Sequence, residues 1–297
     1  MNFSAVVEKA DIEYCRKVAR RTGPNYYFAT RYYPKKVRQA TWCFYAFVRE
    51  SDQIVDGNIY KTNQEKINAL GSWASDWQKA YETGESSHAS QRAAAAIWHK
   101  YQIPFSYTED FLASMAADID TNQYQTYDDL RTYMHGSASV IGTAMAHIIG
   151  FVGDVDEVLQ GAARLGEAMQ MANFLRDVGE DYIQLGRIYL PVEDLEKFNV
   201  TEEMIAKQQV TPEFRELMKF EIARTRELYR ESLPYIESLH ESGQFPVLLA
   251  SQIYLQILDY IEQSDYQVLG LKKQQPNLLQ KALIELRLRK QRKAVII

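Results

Sequence analysis

Apolar and polar positions along this chain recur with the period of helices almost throughout, and no segment alternates as a half-buried strand does. The pattern predicts helices over residues 4–20, 35–55, 64–82, 90–101, 104–117, 127–134, 138–151, 155–184, 212–239, 246–263 and 276–293. Prolines sit near several of the starts (Pro34, Pro104, Pro212, Pro246, Pro276), and Gly23-Pro24 and Gly57-Asn58 mark stops. The stretch Thr41-Trp42-Cys43-Phe44-Tyr45-Ala46-Phe47-Val48 is apolar nearly all round, which places its helix inside the protein. Connections are short, no repeat or low-complexity linker divides the chain, and the expected fold class is all-α in a single domain over residues 1–297.

Two pairs of aspartates interrupt this apolar pattern. Asp52 and Asp56 close the second long helix, and Asp177 and Asp181 lie late in the helix over 155–184. A spacing of i,i+4 stacks both carboxylates on one face, where like charges cost roughly 0.2–0.5 kcal/mol per pair. The C-terminal turns add an unfavourable dipole for the first pair. A cation removes both penalties, and Mg²⁺ takes carboxylate oxygens together with substrate phosphates.

Gln170 and Asn173 precede Asp177 and Asp181 at steps of three and four, so all four share a face. A polar stripe in the otherwise small and apolar Leu165–Leu175 needs partners, and metal with phosphate would supply them. Arg49 and Arg176 stand beside the acids as ion-pair partners or phosphate contacts. On residue chemistry alone Arg187 reads as a structural cap and Tyr189 as a core aromatic. The small-residue run Tyr133 to Gly142 reads as close packing or as room for a slender ligand, and His135 within it as structural. Tyr, Phe and Trp number 20, 12 and 4; most must be core, yet aromatic faces lining a cavity could also shelter a carbocation.

Bulk properties narrow the partners. A net charge of −5 argues against a general nucleic-acid surface. Two cysteines, Cys15 and Cys43, form neither a disulfide framework nor a metal spacing, and the first ten residues lack a secretory apolar core, so a cytoplasmic location is expected. Basic residues gather at 281–297, where Arg287, Arg289, Lys290, Arg292 and Lys293 alternate with Leu286, Leu288, Val295 and Ile296. A solvated helix end is the default reading of that tail, and contact with anionic lipid is the alternative.

Taken together, the blocks resemble the squalene/phytoene synthase family of head-to-head prenyltransferases. Its second aspartate-rich signature is matched across Leu165-Gly166, Gln170, Asn173-Phe174, Arg176-Asp177, Asp181, Arg187, Tyr189 and Pro191; its small-residue signature by Tyr133 to Gly142; its first by Asp52 to Asp56, with Arg49 ahead. Tyr26–Asp56 and the Tyr133 block look most like prokaryotic phytoene synthases. The resemblance implies an isoprenoid-synthase helical bundle around a central cavity. It further implies two prenyl diphosphates, geranylgeranyl diphosphate favoured, bound with about three Mg²⁺ ions (Mn²⁺ a substitute) and without NADPH. Asp52, Asp56, Asn173, Asp177 and Asp181 would hold metal. Tyr45, Arg49, Gln170, Asn173, Arg176 and Lys272 would contact substrate, with Tyr133 and Tyr189 joining the acids in catalysis.

The implied product is phytoene, with C15 condensation to squalene, dehydrosqualene or presqualene diphosphate as the alternative, and a non-catalytic assembly factor behind both. A monomer is expected. Three departures stand out. Gly23-Pro24-Asn25-Tyr26 replaces the family's Ser-Lys-Ser/Thr-Phe segment, Tyr189 sits one residue further from the acids, and Lys272 and Lys273 stand where an Arg is usual. Thr30 beside Ala29, modest in a bulky aromatic segment, is expected to leave room for a C20 chain.

Overall fold

A computed structural model describes residues 7–295, with side chains through 291. Among the described residues every regular element is helical, and extended pairing is limited to two isolated bridges, Gln123 with Ile188 and Phe151 with Leu239. Helices α1 (Lys9–Thr22), α2 (Pro24–Thr30), α3 (Lys35–Asp56), α4 (Asn63–Thr83), α5 (Ala89–Tyr101) and α6 (Ser106–Asp120) form the first half. Then come α7 (Tyr127–Met134), a π-helical turn (His135–Ser139), α8 (Val140–Ile149) and the long α9 (Val155–Leu185). After α10 (Val192–Lys197) and α11 (Glu202–Ala206) the chain forms α12 (Pro212–Ser232), a 3₁₀ turn (Leu233–Ser238), α13 (Glu241–Gln263) and α14 (Leu278–Val295).

Local chemistry sets many of these ends. Thr62 and Thr126 each begin a capping box, with Glu65 and Asp129 returning the bond, while Asp154 and Thr211 cap α9 and α12. The helix expected over 212–239 breaks at Ser232 because Pro234 lacks the N–H an α-helix needs there. Pro246 does not start its helix: α13 begins five residues earlier at Glu241, capped by His240, and runs through the proline. Pro24, expected only to stop α1, occupies the first position of α2, where its fixed φ suits a helix. The expected start of α1 near Ser4 lies outside the described residues.

Helix α9 runs through the middle and packs against α8, α12 and α13, while α3 packs on α1, α5 and α6. The contact of α9 with α8 and with the π-helical turn before it is backbone to backbone. A Cβ on Gly142 would lie 2.2 Å from the Ala162 carbonyl oxygen, and one on Gly166 2.4 Å from that of Ala138. Close packing is therefore one reason for the small residues after Tyr133. Between the α3 side and the α9–α13 side the helices leave a cavity, and the acid-bearing ends of α3 and α9 meet at its rim.

Candidate functional site

The cavity encloses about 280 Å³ and its wall is predominantly apolar. Along α9 it is lined by Ala162, Leu165, Gly166, Met169, Gln170 and Asn173. At 1.5 Å per residue these positions span about 16 Å, running from a small apolar end to an amide end one turn short of Asp177. From α3 it is lined by Phe44, Tyr45, Val48, Arg49 and Asp52, in the same apolar-to-charged order. Tyr26, Tyr33, Tyr235 and Tyr254 complete much of the wall; Tyr26 stacks on Tyr45, with centroids 5.5 Å apart, and its hydroxyl meets Met145 Sδ at 3.0 Å. Thr30 is not part of this wall. It is buried, with its hydroxyl donating to the Tyr27 carbonyl and accepting from Trp42 Nε1 at 3.0 Å. Room in the cavity comes from Ala138, Gly142, Ala162 and Gly166.

At the rim the acids form two facing groups. Asp52 is paired with Arg49 of its own helix. Asp56 accepts from Arg187 Nη1 at 2.7 Å. Asp177 accepts from Arg176, with Nε 2.8 Å from Oδ1, and lies 3.5 Å from Lys273 Nζ, which also reaches Glu180 at 2.5 Å. Asp181 has no hydrogen bond from a cationic side chain among the described residues. Its carboxyl is pushed up to about 8, first by burial, then by the charge of Asp177 and then by that of Asp56 on the facing helix. Burial and the neighbouring Asp56 likewise push Asp52 up to about 7, with Arg49 opposing. Asn173 Nδ2 and Gln170 Oε1 lie 3.5 Å apart on the cavity wall beside them.

Arg187 corrects the expectation of a structural cap. Its backbone N–H does close α9 on the Asp181 carbonyl at 3.3 Å, yet its guanidinium is buried. Gly186, left-handed at φ 68°, turns the chain so that this side chain folds back between Asp56 and Asp118. Nη2 donates to the Asp118 carbonyl at 2.6 Å, and Nη1 lies 3.2 Å from the Tyr189 hydroxyl. Asp118 in turn accepts from Tyr133 at 2.7 Å and Tyr189 at 3.0 Å, and burial pushes its carboxyl up to about 6 against the pull of Arg187. Tyr133 lines the cavity, while Tyr189 lies behind it, stacked on Phe174 at 4.1 Å.

Asp118 was not expected from the sequence, although a signal is present. It stands three residues after Met115 and seven after Phe111, on the face of α6 that both bury. A carboxylate there needs a buried partner. Of the two lysines near the C-terminus, Lys273 is the one whose ammonium reaches the acids; Lys272 faces solvent. Gly179 explains that placement. Its N–H donates to the Val268 carbonyl at 3.0 Å, and a Cβ would lie 2.1 Å from the Leu269 carbonyl carbon. Only glycine admits the segment that carries Lys273 over α9.

The sequence pattern of the squalene/phytoene synthase family matches residues 19–282. The chain belongs to that family. It is 31% identical to the phytoene synthase of Arthrospira platensis over 267 residues, covering 86% of this chain and 85% of the relative. It is 30% identical to the 15-cis-phytoene synthase of Synechococcus elongatus, again covering 86% and 85%. A dehydrosqualene synthase crystal structure superposes with a TM-score of 0.86 at 25% identity, over 96% of this chain and 98% of that one. The squalene synthase HpnC of Alicyclobacillus acidocaldarius gives 0.77 at 25%, over 86% and 95%. The all-α isoprenoid-synthase fold and the head-to-head prenyltransferase family, whose substrates are prenyl diphosphates, are thereby established.

Members of this family typically use Mg²⁺. The residues present fit it, because the anionic groups at the rim are all carboxylates and two of them are held above their ordinary range by burial and by the charge of neighbouring acids. Among the described residues no three His, Cys, Asp or Glu side chains converge as a ready-made cage. Separated pairs suit an ion that completes its shell with phosphate oxygens and water.

Proposed function

We propose that this protein condenses two geranylgeranyl diphosphates head to head into phytoene, releasing diphosphate. The observation that carries this reading is the pairing of an acid rim with an apolar, aromatic cavity in a chain about 31% identical to cyanobacterial phytoene synthases. Mg²⁺, held by Asp52, Asp56, Asp177 and Asp181 with Asn173, would supply Lewis-acid stabilisation of the departing diphosphate.

Arg49 and Arg176 neutralise diphosphate from the two sides, and Lys273 takes the part expected of Lys272, since its Nζ already lies at the acid rim. Tyr45 and Gln170 flank the substrate's diphosphate end, where both line the wall beside Arg49 and Asn173. Loss of diphosphate leaves an allylic cation, and the second substrate's double bond attacks its C1. A proton lost from that adduct closes the cyclopropylcarbinyl diphosphate. Its own ionisation and rearrangement, followed by a second proton loss, give the central double bond. Through both ionisations Tyr26, Tyr45, Phe44 and Tyr133 exclude water and offer ring faces to positive charge. Asp118 positions Tyr133, Tyr189 and Arg187, and through Arg187 it holds Asp56.

Purified protein incubated with Mg²⁺ and either the C15 or the C20 diphosphate, without NADPH, tests the reading. Phytoene from the C20 substrate is expected. A C30 product alone would replace this reading by farnesyl diphosphate condensation, which the dehydrosqualene synthase likeness favours. Diphosphate release from neither substrate would remove the enzymatic reading.

A further inference from the structure

Helix α14 is apolar on two opposite faces. Inward, Ile284 and Leu288 are buried in one cluster with Phe28 and Ala29 of α2 and with Leu249 and Ile253 of α13. Outward, Leu278 and Leu286 form one i,i+4 row through Ala282, and Leu279 and Leu283 form the row beside it. All four leucines are at least half exposed, as is Leu271 just before the helix. Among the described residues, five of the eleven large hydrophobic side chains that face solvent fall between Leu271 and Leu286. That concentration makes a patch rather than the scattered exposure ordinary on a protein surface.

Charge identifies the occupant. Residues 271–297 hold eight Lys and Arg against one acid, Glu285; setting aside Lys273, held at the acid rim, and buried Lys281, six bases against that acid leave a local +5 on a chain whose net charge is −5. Arg287 and Lys290 stand exposed beside the leucine rows. A second copy of the chain docking by twofold symmetry would bring this positive segment against itself. An anionic lipid surface meets both features, taking leucines into the acyl boundary and basic side chains at the headgroups.

We propose that the outward leucine face of α14 docks the protein on an anionic bilayer. The placement matters because α2 and α13, on which α14 rests, line the cavity with Tyr26, Val247, Ala250 and Tyr254. Docking therefore sets the cavity wall next to lipid. The inference does not depend on substrate length, and its test needs no turnover, so it can fail while the proposed activity stands.

The test is flotation of the full-length protein with vesicles of phosphatidylcholine, with and without a minority of phosphatidylglycerol. The protein is expected to float with the anionic vesicles and to be released by raised salt. Leu279→Glu with Leu283→Glu should lower the floated fraction roughly tenfold or more, since each leucine loses its transfer into lipid. Arg287→Glu should weaken binding and flatten its salt dependence, while both variants keep the helical circular dichroism of the parent. Wild-type protein left entirely with the lipid-free fraction, or floated equally well after Leu279→Glu/Leu283→Glu, would overturn the proposal. A dimer in light scattering that the same double substitution dissociates would assign the face to a second copy and overturn it as well.

Discussion

The two acid jaws differ in how their charge is compensated. On α3, both carboxylates have a guanidinium partner: Arg49 from the same helix for Asp52, and Arg187 from the turn after α9 for Asp56. On α9, Asp177 gathers Arg176 and Lys273, while Asp181 is left to face Asp56 across the rim and is pushed up to about 8. The α3 jaw is thus braced from the α9 side through Arg187 and Asp118, and the α9 jaw presents the carboxylate in greatest need of a cation. The contrast shows how one fold can keep an acid-rich rim assembled before substrate arrives. Arginines hold three of the acids in place, and the fourth keeps an electrostatic demand that, on the proposed function, metal and diphosphate would meet.

Removing either jaw should have the largest effect. Asp52→Ala or Asp177→Ala is expected to lower kcat/KM by roughly 10³-fold or more, the scale of several kcal/mol of lost charge stabilisation. Steady-state kinetics with circular dichroism checks it, and retained turnover in either variant would show that the jaw it belongs to is not needed for ionisation. Next in size is the brace. Arg187→Ala strips partners from Asp56 and from buried Asp118, and a broken buried pair costs about 3–5 kcal/mol. Denaturant unfolding should register that loss, whereas Arg49→Ala removes a guanidinium that is itself partly exposed, unlike the buried one of Arg187, and should cost less.

Smaller effects sharpen the α9 side. Gly179→Ala should destabilise by about 1–3 kcal/mol as the methyl displaces the segment at Leu269. It should also raise KM for the diphosphate as Lys273 moves away. Unchanged KM would detach Lys273 from the site. The mildest test is pH. Asp52 and Asp181 have folded-state values above the ordinary carboxylate range, so the folded protein binds more protons than the unfolded one from about pH 4 upward. Metal-free protein should therefore lose thermal stability as pH rises to about 8, and added Mg²⁺ with diphosphate should flatten that fall. A midpoint independent of pH without metal would show that these carboxylates are not strained.

Much of this was legible because it is periodic. The i,i+4 acids, the Gln170–Asn173–Asp177–Asp181 stripe and the apolar helix before Asp52 follow from spacing alone, and the structure places each on the cavity or its rim. Features set by the meeting of distant segments were hidden. Arg187 looked like a cap because only the left-handed turn at Gly186 shows that its side chain folds back 131 positions in sequence to Asp56. Lys273 was passed over for its neighbour because Gly179's contact with Leu269 sets which lysine faces inward. Asp118 carried a readable signal, a lone carboxylate on an apolar helical face, but its partners Tyr124, Tyr133, Arg187 and Tyr189 come from the loop before α7, from α7 and from the turn after α9. Thr30 failed as a guide to pocket depth because the Trp42 indole turns it away from the cavity.

On the proposed function the two jaws act as one diphosphate site. Calorimetric titration of inorganic diphosphate in the presence of Mg²⁺, on the parent, Asp52→Asn, Asp181→Asn and the double variant, tests it most directly. Either single substitution is expected to remove nearly all of the binding and the double to remove no more, because both carboxylates would serve the same bound ion cluster. Losses that simply add, each variant keeping an independent half of the binding, would contradict it.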